Sequence, residues 1–363
     1  MILNTSVPFW DLGSNETDAV DCNYTTGWNW LYSLQPAYMS MICILGLVGN
    51  SFVLCVFCLH SKHLTVADVY LSNLAAADLV MAMCLPFWAV TVAQGFQWSF
   101  GVSLCKVVST AIAMNYSCSV LFLVVVSVDR YLALVKPMSF GRRRDRALAK
   151  KVCFTIWAIG FLLGLPDLLF RSVKWFPDLK VDGCYLAYPH DSWRVQRNMT
   201  ANTVGFLIPL PIILFCGYHI ICALHKNQGG NFPGDRKEKK ASYLVLIVLA
   251  AYFICLLPHQ IVRFLDTLDY FEVTLGCYWG HVLDIGTQLA SCLAYGNSAL
   301  NPFLYVIVGN HFRNRAKKMF RQVLNHAVKE KTVNLTSTAK FTQASKISSE
   351  QNSKFKIHSP LAT

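Results

Sequence analysis

The sequence predicts an all-α membrane protein, a seven-transmembrane helix bundle with an amphipathic helix on the inner membrane face after the seventh span. Three observations predict it. Apolar residues make up 54% of the chain and charged residues only 14%, where a soluble domain carries about a quarter charged residues. The apolar residues gather into seven stretches, each long enough for the ~20 residues of helix that cross a bilayer core. Lys and Arg cluster at alternate ends of those stretches, as their retention on the cytoplasmic side requires.

The stretches lie near 36–60, 66–93, 103–135, 147–170, 199–225, 241–265 and 279–308. A backbone crossing lipid must satisfy its own hydrogen bonds, which makes helices the economical reading. Buried core helices of a soluble protein are the alternative, and seven of this length argue against it.

Segment 1–35 has no Lys or Arg but holds Asp11, Glu16, Asp18 and Asp21, which places it outside. It is too small to bury a core and is expected to have little structure of its own. Asn4, Asn15 and Asn23 each open a glycosylation sequon there, which agrees with that side. No charged, cleavable leader precedes the first span. The inner loop between the third and fourth spans carries Arg142, Arg143, Arg144, Arg146, Lys150 and Lys151, and that between the fifth and sixth carries Arg236, Lys237, Lys239 and Lys240. The segment 227–235, rich in Gly and Asn, reads as a breaker, and 171–197, with Cys184, as a long outer loop. After the bundle (36–308), residues 309–325 alternate basic side chains with Phe312, Met319, Phe320 and Val323, an amphipathic helix on the inner face. The tail 326–363, rich in Ser and Thr, reads as disordered. The net charge of +12 falls mainly at inner helix ends, where membrane lipids and a cytoplasmic partner account for it better than nucleic acid.

Most of the fourteen cysteines, such as Cys43, Cys55 and Cys216, fall within spans as small packing residues. Cys22, Cys105, Cys184 and Cys277 fall outside the bilayer in an oxidising compartment, and spacing leaves all three pairings open. Ionisable groups inside spans are functional candidates. Asp78 stands in mid-span; from spacing alone a protonated acid bonded to its neighbours is the plainer reading, with a cation held by Ser119, Asn297, Ser298 and Asn301 the other. No internal repeat supports a transporter, and no phosphate loop, HExxH or nucleophile–base pair supports an enzyme.

Gly49-Asn50, Asn73 to Asp78, Asp129-Arg130-Tyr131, Trp157, Pro209, Cys255-Leu256-Leu257-Pro258 and Asn301-Pro302-Phe303-Leu304-Tyr305 fall one set per span, in order. On these the chain resembles the rhodopsin-like class of G-protein-coupled receptors. The resemblance implies an allosteric sodium site at Asp78, Ser119, Asn297 and Ser298, with no other cofactor, and a Cys105–Cys184 bridge. It also implies an activation switch at Asp129, Arg130, Tyr131, Pro258, Asn301, Pro302 and Tyr305. An Arg held inward by the neighbouring carboxylate and released toward a partner is a bistable element, whereas an ordinary interfacial ion pair is worth little. The sequence departs from the class at Leu256, where a Trp is usual, and Tyr252, where a Phe is usual.

Asp266, Asp269 and Glu272 cluster after the sixth span and Asp284 enters the seventh, a rim that would steer cations. Residues 107–120 hold no acid of the kind amine receptors use, and the seventh span has no Lys for a retinal Schiff base. Leu85 to Ala89, Val126 to Lys136, Phe264 to Leu268 and Ala294 to Ser298 are similar to the bradykinin (kinin) receptors over roughly 30–325. That family implies that Asp266 and Asp284 receive the N-terminal Arg of a bradykinin-like peptide and that Arg171 meets its C-terminal carboxylate. Trp88, Gln288 and Tyr295 would line the pocket, Asn115 would restrain basal activity, and Cys22 would pair with Cys277. Ala113, where the des-Arg-preferring kind has Lys nearby, leans toward the kind for the intact peptide. The family further implies a Gq-type G protein, plasma-membrane residence, and receptor kinases and arrestin acting on Thr336, Ser337, Thr338, Ser345, Ser348 and Ser349. An angiotensin-like or chemokine-like receptor is the nearest alternative.

Overall fold

Each apolar stretch folds as a helix, and the ends are set by local chemistry rather than by hydropathy. The computed structural model describes residues 26–58, 64–136, 145–177, 180–190, 192–226, 233–271, 277–307, 312–322 and 324–325. The three sequons, Cys22 with its expected pairing to Cys277, Glu272 and the Ser/Thr-rich tail lie outside the described residues or depend on them.

The helices are α1 (Thr26–Cys58), α2 (Val66–Ala93), α3 (Gly101–Val135), α4 (Arg146–Phe170), α5 (Ser192–Lys226), α6 (Pro233–Tyr270) and α7 (Cys277–Ile307). Among the described residues, α1 to α6 are long and apolar enough to cross a membrane by length and composition. Helix α7 is 31 residues long and carries Asp284, Gln288, Asn297 and Asn301, which dilute its apolarity. The bundle is turned inside out relative to a soluble protein. Phe154 is 77% exposed and Ile254 71%, while Asn50 and Asp78 are fully buried, the distribution expected where lipid is the outer solvent.

Helix α2 starts on a capping box: the Thr65 hydroxyl accepts from the Asp68 N–H at 3.2 Å, and the Asp68 carboxylate accepts from the Thr65 N–H at 2.7 Å. Asp145 caps α4 by accepting from the Ala147 N–H at 3.0 Å.

Three boundaries and one loop differ from expectation. Helix α1 begins at Thr26, ahead of the apolar stretch and within the segment expected to be unstructured. Helix α5 begins at Ser192, so the polar turns through Arg194 and Arg197 are helical rather than loop. Hydropathy marks the hydrocarbon crossing, and helical hydrogen bonding runs past it. Helix α6 begins at Pro233, inside the expected breaker, because a proline at the first helical position gives up no bond and already has the helical φ. The outer loop contains an antiparallel hairpin, β1 (Arg171–Phe176) and β2 (Val181–Leu186), with Val173 opposite Cys184.

That hairpin is fastened on three sides. Cys184 is disulfide-bonded to Cys105 at the head of α3, with Cα atoms 5.8 Å apart. The Trp98 N–H donates to the Asp182 carbonyl at 2.7 Å, and the Asp182 N–H to the Gln97 side chain at 2.8 Å. The Ala187 N–H donates to the Phe170 carbonyl, at the end of α4, at 2.7 Å.

Helices α3 and α4 pack closely because Gly160 and Gly164 face α3. A Cβ on Gly160 would stand 2.3 Å from the Cys118 sulfur, and one on Gly164 would stand 3.2 Å from the Thr110 carbonyl. Small residues four apart let membrane helices approach backbone to backbone. Of the cysteines read as packing residues, Cys43 and Cys216 are buried, while Cys55 is exposed.

The Phe312 ring sits edge-on to Phe52 and Phe57 of α1, 5.8 and 5.9 Å away. Residues 312–322 are helical (α8). Arg313, Lys317, Lys318 and Arg321 are exposed, Ala316 and Met319 are buried, and Phe320, expected on the apolar face, is 54% exposed.

Candidate functional site

A cavity of about 280 Å³ opens inside the bundle beneath the hairpin. Trp88 of α2, Tyr116 of α3, Arg171 of β1, Arg197 of α5, Arg263 of α6 and Tyr295 of α7 all line it. Its α5 wall is shaped by a π turn at Thr203–Leu207 just before Pro209, a local widening of the kind that recurs at functional sites. At its centre Gly205 is required: a Cβ there would lie 2.8 Å from the Tyr116 hydroxyl. The Tyr252 hydroxyl donates to the Gly205 carbonyl at 3.4 Å.

The upper wall is an ion network. The Arg171 Nε donates to Asp167 at 3.1 Å and its Nη1 to the Cys184 carbonyl at 3.4 Å. Arg197 reaches both oxygens of the same carboxylate, at 2.9 and 3.1 Å. Burial lowers the Arg171 pKa from the ordinary guanidinium value, and Asp167 opposes that. Burial likewise pushes the Tyr188 phenol up.

Of the six predicted ligand residues, three meet at the cavity: Trp88, Arg171 and Tyr295. Gln288 instead accepts from the Gln35 amide at 3.1 Å, joining α7 to α1. Asp284 is exposed. Asp266 stands at the α5–α6 rim, where its carboxylate accepts from Arg194 through both Nε and Nη2, and from the Asn198 amide at 2.6 Å. Asp269 lies 3.6 Å from the same Arg194 nitrogen.

Sequence reading missed Tyr116, Asp167, Arg194, Arg197, His259 and Arg263. The available signal was an ionisable side chain inside a span, which Asp167, His259 and Arg263 all give. Arg194 and Arg197 fell in what read as loop.

Lower down, Asp78 is fully buried. Its Oδ1 accepts from Asn115 at 3.3 Å and from Ser119 at 3.5 Å, and its Oδ2 from Asn301 at 2.8 Å. The Ser298 hydroxyl bonds the same carboxylate. The side-chain carbonyls of Asn297 and Asn301 are buried with no hydrogen-bond donor among the described residues. The cavity reaches this cluster, since Asn115, Ser119, Asn297 and Ser298 also line it. So does Leu256, 5% exposed, at the position where the class usually has a Trp.

At the inner end, Asp129 and Arg130 pair at 2.6 Å with both side chains buried. The Tyr131 ring packs on Phe215 and His219 of α5, with centroids 5.5 and 5.8 Å away. Pro258 and Pro302 lie inside α6 and α7. Tyr305 is 1% exposed, and its hydroxyl has no partner among the described residues. Trp157 donates to the Asn73 side chain at 3.0 Å, tying α4 to α2.

Residues 49–305 match the family described as 7 transmembrane receptor (rhodopsin family). The chain is 46% identical to the B2 bradykinin receptor of Rattus norvegicus over 306 residues, which is 84% of this chain and 77% of that one. It is also 46% identical to the B2 bradykinin receptor of Homo sapiens over 296 residues, 81% of this chain and 76% of the other. To the B1 bradykinin receptor of Homo sapiens it is 39% identical over 302 residues, 83% of this chain and 86% of the other.

Proposed function

This chain belongs to the bradykinin receptors within the rhodopsin-like G-protein-coupled receptors, multi-pass proteins of the plasma membrane and not enzymes, and from that premise we propose how it receives its ligand. The ligand is a bradykinin-like peptide in its intact form, in keeping with the higher identity to B2 than to B1 receptors. Its N-terminal Arg docks at Asp266 and Asp284, and its other end descends into the cavity past Trp88 and Tyr295.

The observation that carries this reading is the bond at Asp266. The carboxylate already holds a guanidinium through two nitrogens, that of Arg194. This is the fork-to-carboxylate recognition that a peptide Arg would use.

Occupation of the cavity biases the bundle toward an arrangement in which Arg130 leaves Asp129 and a Gq-type G protein docks among the basic inner loops. The N-terminus is extracellular and bears glycans at Asn4, Asn15 and Asn23. Receptor kinases and arrestin act on the tail, whose added phosphates supply charge and acceptors.

A sodium ion suits the lower cluster, because Asn297 and Asn301 each leave a buried carbonyl oxygen without a donor among the described residues. Asp78, Ser119, Asn297 and Ser298 would hold it, an all-oxygen donor set. When bound, the ion supplies the positive charge that stabilises Asp78 as a carboxylate in a buried site.

The test is intracellular calcium in cells expressing the chain, titrated with bradykinin, its des-Arg form and angiotensin. A response to intact bradykinin at least tenfold more potent than to the other two is expected. Silence to bradykinin, with the receptor at the cell surface, would overturn the ligand.

A further inference from the structure

Three guanidiniums line the cavity, those of Arg171, Arg197 and Arg263, against one carboxylate at their level, Asp167. That carboxylate is spent on the first two. Arg263 is left with a ring face: its guanidinium lies 5.4 Å from the Tyr116 centroid, and its Nε has no hydrogen-bond partner among the described residues. Beside it stand two more polar groups in the same condition. The Tyr116 hydroxyl and the His259 Nδ1 are buried without hydrogen-bond partners among the described residues, and the two rings are 5.9 Å apart. All three residues line the cavity.

A ring face stabilises a cation less than withdrawal from water costs it, and an ionisable group inside a span is retained for what it binds. Three unsatisfied polar groups converging on one cavity leave room for one anion.

We propose that Tyr116, His259 and Arg263 form an anion subsite that takes the C-terminal carboxylate of the peptide. This rests on the kinin reading and moves the carboxylate from Arg171, whose Nε and Nη1 already donate to Asp167 and the Cys184 carbonyl. The Arg263 fork receives the carboxylate, and the Tyr116 hydroxyl and His259 imidazole bracket it.

The test compares bradykinin with its C-terminal amide, each competing against labelled bradykinin on membranes bearing the full-length receptor. The wild type binds the free acid at least tenfold more tightly. Arg263→Gln brings the acid-to-amide ratio near one through loss of acid affinity, with the amide little changed, and Arg263→Lys keeps part of the preference. Should Arg263→Gln reach the surface poorly, His259→Gln is read the same way, with a partial fall in the ratio. Asp266→Asn weakens both peptides alike and leaves the ratio. An unchanged ratio in Arg263→Gln, equal loss of both peptides there, or loss of the ratio in Arg171→Gln alone would overturn the assignment. Wild-type receptor binding both peptides tightly and equally would overturn it too while leaving the kinin reading intact. Binding of neither would overturn the kinin reading itself, and this assignment with it.

Discussion

Arg194 holds Asp266 on its own account, so an incoming peptide guanidinium must displace it. The pair is partly shielded, with side-chain exposures of 19% and 14%. Exchanging one charge-assisted bond for another leaves a small net cost, about 1 kcal/mol, or roughly fivefold in affinity. Arg194→Gln should therefore tighten binding of bradykinin by about that factor, while a peptide lacking the N-terminal Arg gains nothing. Competition binding with the two peptides checks it, and an equal gain for both would show that Arg194 acts elsewhere. Asp266 was legible as part of an acidic rim, but its occupant was not. Arg194 sits in a polar stretch that hydropathy assigns to a loop, and only the helical start of α5 at Ser192 carries it to the rim. Asp78 itself was legible, because a carboxylate in mid-span singles itself out whatever surrounds it, but its bond to Asn115 was not.

Helix α4 is the element whose placement leaves least tolerance. Nothing but hydrogen fits on Gly160 toward the Cys118 sulfur, at 2.3 Å from a Cβ. Gly160→Ala should destabilise the bundle by about 1–3 kcal/mol, the usual cost of overpacking, and Cys118→Ala in the same chain should restore most of it. Thermal unfolding in detergent of the two single variants and the double variant gives the coupling; additive losses would refute the contact. The seven helices were legible because crossing lipid allows one backbone solution. The hairpin was not, since its strands are short and the disulfide that fastens it runs to Cys105, far away in sequence. The π turn in α5 was also invisible, because Thr203 to Leu207 has an ordinary helical composition and the extra residue per turn answers to Tyr116 and Tyr252 across the cavity.

Across the whole molecule, the ligand cavity and the Asp78 cluster are one continuous space, with the inner Asp129–Arg130 pair below it. On the proposed reading, an ion at Asp78 would compete with an activated arrangement for the same packing. Reciprocity of linkage then requires that sodium lower agonist affinity by the factor by which agonist lowers sodium's. Replacing choline with sodium at constant ionic strength should weaken bradykinin binding several-fold in the wild type and not in Asp78→Asn. A sodium effect that survives in the variant would remove the ion from this cluster. The overall arrangement was readable because the motifs arrive one per span. The cavity's own charges were not, because which buried Arg meets Asp167 and which is left over depends on rotations of α4, α5 and α6 that hydropathy does not specify.

The fastening of the hairpin decides by which side a ligand leaves. It is tied to α3 by Cys105, to the loop after α2 through Gln97 and Trp98, and to α4 through Arg171 and Phe170. Those sides open only if several bonds break together. Away from those sides, α5 and α6 meet at the Arg194–Asp266 clasp, which on the proposed reading a ligand would have to pass. A peptide Arg docked at Asp266 would itself hold that clasp open, with Arg194 waiting to reclaim the carboxylate, so on the proposed reading the peptide's residence time would answer to Arg194 as a competitor.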